Sequence, residues 1–75
     1  MFLYLPIEEE LHSPELGCYR SFGIAAFWVS EGRMERMGFI SDISTLETVV
    51  FLLACRCTKN QLYPIHLKDV VEDAI

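Results

Sequence analysis

The stretch Ala25-Ala26-Phe27-Trp28-Val29-Ser30-Glu31-Gly32-Arg33-Met34-Glu35-Arg36-Met37-Gly38-Phe39-Ile40 sets the architecture of this chain. Two runs rich in aromatic and β-branched residues flank Glu31-Gly32, a pair that suits a tight hairpin loop. Such a loop places Ser30 opposite Arg33 and fixes the register. One face then pairs Trp28 with Glu35, Ala26 with Met37, Ile24 with Phe39 and Phe22 with Ser41. The other pairs Val29 with Met34, Phe27 with Arg36, Ala25 with Gly38 and Gly23 with Ile40. The first face holds the larger apolar side chains near its middle and is expected to be the core. The second sets Arg36 beside Phe27, a cation–π arrangement, and leaves Phe27, Val29, Met34 and Ile40 needing cover.

Moving outward, Phe2 to Leu11 carries Leu3, Leu5, Ile7 and Leu11 on one side of a two-residue period. Pro6 has no N–H to give a ladder, which makes this run an edge strand. His12 to Gly17 is a loop by composition. Strands are therefore predicted at about 2–11, 18–30 and 33–41 in one domain spanning residues 1–75. After them, Ser44-Thr45-Leu46-Glu47 reads as a capping box opening a helix over 45–59, with Asn60 as its left-handed stop. Leu46, Val50, Leu53 and Cys57 form its apolar stripe, while Val49, Phe51, Leu52 and Cys55 spread round the rest. A helix apolar on more than one side is expected to be sandwiched. Pro64 then opens a second helix over 64–74, striped by Leu67, Val70, Val71 and Ala74. The predicted fold is α+β: a three-stranded antiparallel β-meander followed by a two-helix hairpin packed on one sheet face.

Composition narrows the function classes. The 75 residues are 52% hydrophobic with mean hydropathy +0.29, rich for a chain this short. A domain of this size removes only about 60% of its unfolded surface from water, so the excess points to a second subunit as the missing cover. The net charge is −5, and the six basic residues are scattered among acids rather than drawn into a stripe, which argues against nucleic-acid binding. The longest apolar run, Val49 to Cys55, is too short to span a bilayer. Met1 to Leu11 lacks the basic start of a signal peptide, so a cytoplasmic location and reduced thiols are expected.

Cys55, Cys57 and His66, with Cys18 as a fourth, are the one set that recommends a metal- or small-ligand-binding regulator. A Cys-x-Cys inside a helix points its thiols about 200° apart, so packing is the preferred reading and no metal or cofactor is expected. His66 and Asp69 share a helix face and form the one polar pair reminiscent of acid–base machinery, but no nucleophile stands in a recognisable motif beside them. Glu8, Glu9 and Glu10 alternate faces and read as an edge-protecting charge run. The expectation is a non-enzymatic interaction module, most simply a homodimer or a binder of another protein. Its candidate interface is Phe27, Trp28, Val29, Met34, Ile40, Phe51 and Leu52.

The segments Phe22-Gly23-Ile24, Ile40-Ser41-Asp42-Ile43-Ser44 and Leu62-Tyr63-Pro64-Ile65-His66-Leu67-Lys68-Asp69-Val70-Val71-Glu72-Asp73 together resemble a family of short proteins from Gram-positive anaerobic bacteria, domain of unknown function 6514. The resemblance runs from Tyr19 to the C-terminus. It supports the domain boundary and implies no activity, ligand or catalytic residue.

Overall fold

A computed structural model describes all residues, Met1–Ile75. Strands β1 (Phe2–Ser13), β2 (Gly17–Ser30) and β3 (Arg33–Ser44) form one antiparallel sheet in the order β1-β2-β3. Helix α1 (Glu47–Lys59), a 3₁₀ turn (Pro64–His66) and helix α2 (Leu67–Ala74) follow and pack on one face. The predicted α+β meander with its helical pair is the fold.

The β2–β3 loop forms as its sequence requires. Glu31 and Gly32 both take left-handed φ values, 50° and 75°, which matches the loop to the sheet's right-handed twist. From there the register follows expectation: Ser30 faces Arg33, Val29 Met34, Trp28 Glu35 and Phe27 Arg36. Then Met37 bulges out, and Ala26 pairs with Gly38, Ala25 with Phe39 and Ile24 with Ile40. One extra residue exchanges the faces of everything beyond it. The expectation for Ile40 is thereby overturned: it turns to the helix side and packs against the core. Phe39 takes the opposite face, and Arg36 lies over the Phe39 ring, 4.9 Å from its centre, rather than over Phe27. A second irregularity pairs Phe22 with Ser44 and leaves Ser41-Asp42-Ile43 bowed out, with Asp42 at φ 54°.

The core draws Tyr4, Phe22, Ile24 and Ala26 from the sheet, Ile43 from the bowed segment, Val50, Leu53, Ala54 and Cys57 from α1, and Leu67 and Val71 from α2. Tyr4 opposite Ala26 puts the even residues of β1 on this side, so the stripe Leu3, Leu5 and Ile7 faces away from the helices. In α1 the expected stripe is buried except for Leu46, which is exposed.

The helix starts two residues late. Ser44 is still paired in β3, so its hydroxyl accepts from the Leu46 amide at 3.1 Å and the capping box does not form. At the other end Asn60 stays at φ −88° and Gln61 takes the left-handed conformation instead, φ 49°. That turn aims the Gln61 side chain at β1. Its Oε1 accepts from the Phe2 amide at 2.8 Å, and its Nε2 donates to the Phe2 carbonyl at 2.9 Å. The Thr58 hydroxyl likewise accepts from the Tyr4 amide at 2.9 Å. One side chain from α1 and one from the turn after it thus stand in for a fourth strand along the start of the β1 edge. Pro6, next along that edge, offers no N–H.

Candidate interaction surface

The sheet face turned away from the helices is more closed than its sequence implies. Gly23 and Ala25 are buried there because the bulge at Met37 swings Phe39 over them. A Cβ on Gly23 would lie 2.3 Å from the Ile40 carbonyl oxygen and 3.1 Å from the Phe39 ring, so only glycine admits this approach. Leu3, Leu5, Ile7, Phe27 and Val29 are half-buried around that patch.

Beside it lies a polar network. The Glu9 carboxylate accepts from the Ser41 hydroxyl at 2.7 Å and from the Asp42 amide at 2.8 Å. The Asp42 carboxylate accepts from the Ser21 hydroxyl at 2.6 Å and from the Tyr19 hydroxyl at 2.9 Å. The hydrogen bonds from Ser21 and Tyr19 hold the Asp42 carboxyl below its ordinary range. The bond to Asp42 raises the Tyr19 hydroxyl in turn. Every member is committed to another, so the network holds the bowed segment in place rather than presenting free groups. The sequence conceals it because Glu9 reads as one unit of a charge run. The one signal was Asp42, a poor strand former that tolerates left-handed backbone.

The outer edge of β3 has no such support. Every residue from Glu31 to Met37 is exposed, with Met34 at 55% and Met37 at 49%. Trp28, on β2 opposite Glu35, is 40% exposed although it packs edge-on against Phe2, ring centres 4.9 Å apart. Tyr63 packs on Phe2 from another side at 5.6 Å, and an open groove of about 410 Å³ runs between Phe2, Met37, Tyr63, Pro64 and Ile65. Of the remaining candidate interface residues, Phe51 and Leu52 lie on the outer side of α1, both exposed. Phe51 shares the lining of a groove of about 320 Å³ beside the β1 edge with Leu3, Leu5, Pro6 and Cys55. Leu52 lines another of about 250 Å³ with Val49, Arg56, Ala74 and Ile75. The candidate residues therefore divide between the hairpin end and the outer side of α1.

Cys55 and Cys57 diverge as helical spacing predicts, but the packing reading holds for Cys57 alone and is overturned for Cys18 and Cys55. Cys57 is buried in the core and Cys55 is exposed, as is Cys18. Burial pushes the Cys57 thiol above its ordinary range, with Arg56 pulling the other way. Cys55, Cys57 and His66 are not brought together, and no group of three or more His, Cys, Asp or Glu side chains is arranged to hold a metal ion. His66 closes the 3₁₀ turn, its amide donating to the Tyr63 carbonyl at 2.9 Å, and it makes no hydrogen bond to Asp69. Both side chains are exposed.

No helix is long and apolar enough to cross a membrane. Comparison with curated proteins and with solved structures gave no match. A family model does match, over residues 2–75, and so takes in the N-terminal strand that the resemblance from Tyr19 onward had left out. The chain belongs to the Family of unknown function (DUF6514).

Proposed function

We propose that this protein is a non-enzymatic interaction module that works as a homodimer, with the uncovered end of the β2–β3 hairpin meeting the second copy. The observation that carries this reading is the contrast between the two sheet edges. The start of β1 is closed by Thr58, Gln61 and Pro6, while β3 from Arg33 to Met37 runs free beside Trp28, Met34 and Met37. A free edge flanked by large apolar side chains is a template for another chain. Elsewhere the polar side chains of the Glu9–Asp42 network are bonded to one another, which leaves the apolar edge as the uncovered feature. The acidic balance of the chain favours a protein partner over nucleic acid. Sedimentation velocity and light scattering from micromolar to near-millimolar concentration test the reading. A mass rising to that of two chains supports it, and a monomer throughout rejects it.

A further inference from the structure

The free edge of β3 is short and bracketed. The Glu31-Gly32 turn closes one end, and the bulge at Met37 ends the other, so the straight segment between them is the four residues 33–36. The direction of the backbone groups follows from the ladder. Met1 and Val29 exchange both hydrogen bonds, which turns the amide and carbonyl of Val29 toward β1 and those of Trp28 and Ser30 toward β3. Arg33 and Glu35, their partners, point back at β2. Met34 and Arg36 alternate with these, so their N–H and C=O groups point out of the sheet with no strand beyond them. The residues on either side of Met34 carry opposite charges, Arg33 and Glu35. Neither makes an ion pair within the chain, whose single ion pair is Arg20 with Glu8 at 3.1 Å.

The geometry points to a two-fold dimer in which β3 pairs antiparallel with β3 of a second copy, Met34 opposite the partner's Met34, joining the two sheets into one of six strands. This rests on the homodimer reading and specifies its interface. Two-fold pairing along this edge allows few registers, because only outward-pointing residues can face one another as a hydrogen-bonded pair. Centring on Arg36 sets that cation against itself and runs into the bulge. Pairing Met34 with the partner's Arg36 sets Glu35 against the partner's Glu35. Centring on Met34 sets Arg33 opposite the partner's Glu35 and Glu35 opposite the partner's Arg33, both on the sheet face that carries the helices. Opposite charges directly across strands attract and like charges repel, so the alternation of sign selects this register. Met34 meets its copy on the other face, beside Val29 and Phe27. The β1 edge cannot serve equally well: beyond Pro6 its outward-pointing residues begin with Glu8 and Glu10, which would face acids in a second copy.

Charge reversal tests the register. Arg33→Glu leaves only acids at the paired positions, and Glu35→Arg leaves only bases, so each variant alone should self-associate about tenfold more weakly at low salt. Mixed in equal amounts, the two variants present acids to bases at both positions, and the heterodimer should return to the strength of the unaltered dimer. The double variant should do so alone. Met34→Pro removes the outward N–H without touching the bonds to β2, and should leave a folded monomer by circular dichroism and sedimentation. If the unaltered chain dimerises while the single variants and their mixture associate just as strongly, the register is wrong and the homodimer reading survives. A chain that is monomeric at every concentration overturns both.

Discussion

The Glu9 carboxylate on edge strand β1 reaches across the sheet to accept a hydrogen bond from the backbone amide of Asp42 on β3, at 2.8 Å. An acid at one edge thus fixes a left-handed residue in the strand at the other, spanning the middle strand. The bow at Ser41-Asp42-Ile43 carries Ile43 into the core, so this long-range bond ties the polar face to the packing beneath it.

Glu9→Ala should cost about 1–2 kcal/mol, since a charged acceptor of two hydrogen bonds is lost. For a domain of this size that lowers the melting temperature by roughly 5–15 °C. Glu9→Gln, which keeps one acceptor oxygen, should fall between. Equal melting of Glu9→Ala and the unaltered chain would show that the bow holds itself.

Asp42 gives the fold a dependence on acid. Hydrogen bonds from Ser21 and Tyr19 depress its pKa in the folded chain, so its contribution is present above the ordinary carboxylate value. That contribution is lost as pH falls through the lowered value. Urea titrations from neutral pH down through the carboxylate range should show stability declining, and Asp42→Asn should flatten the decline.

Tyr4 acts at the other end of the scale. Burial, and then the nearby Cys57, push its hydroxyl from 10.0 to about 12. The hydroxyl also donates to the Leu62 carbonyl. A raised folded pKa means full stability below pH 10 and a progressive loss as pH rises toward 12, roughly 2–3 kcal/mol when complete. Tyr4→Phe should remove this alkaline step, seen by denaturation at pH 9 and near pH 12, and should cost about 1–2 kcal/mol at neutral pH by leaving the Leu62 carbonyl without its donor.

Gly23→Ala should be among the most damaging single changes. The added methyl would meet the Ile40 carbonyl at 2.3 Å, a backbone atom that cannot step aside. A loss of roughly 3 kcal/mol is expected, with the Phe39 ring displaced. Ala25→Gly, one pair along, should cost far less in the same thermal melt.

The thiols should react in two classes. Cys18 and Cys55 are exposed, while Cys57 is buried and its thiol raised. In the native protein a thiol reagent should modify two cysteines quickly and the third only at the rate of unfolding. Three equally fast thiols would contradict the packing of α1.

Local pattern determined a good deal by itself. Glu31-Gly32 specified the tight turn and the four pairs nearest it, because a two-residue loop with positive φ leaves no other register. The strand, helix and turn order was also legible, as was the divergence of Cys55 from Cys57, since helical spacing decides direction without reference to the rest of the chain. Tertiary structure alone decided the rest. The bulge at Met37 inserts one residue between two correct segments, and a two-residue period cannot signal which residue steps out. That single step sent Ile40 into the core and Phe39 over Gly23. The Glu9–Asp42 bond joins residues on opposite edges of the sheet, and Gln61 and Thr58 close a strand more than fifty positions away. Such contacts depend on where the folded backbone leaves unsatisfied donors and acceptors, which no local period records. The same reasoning picks out the edge around Met34, a stretch of strand flanked by large apolar side chains for which the fold itself provides no partner.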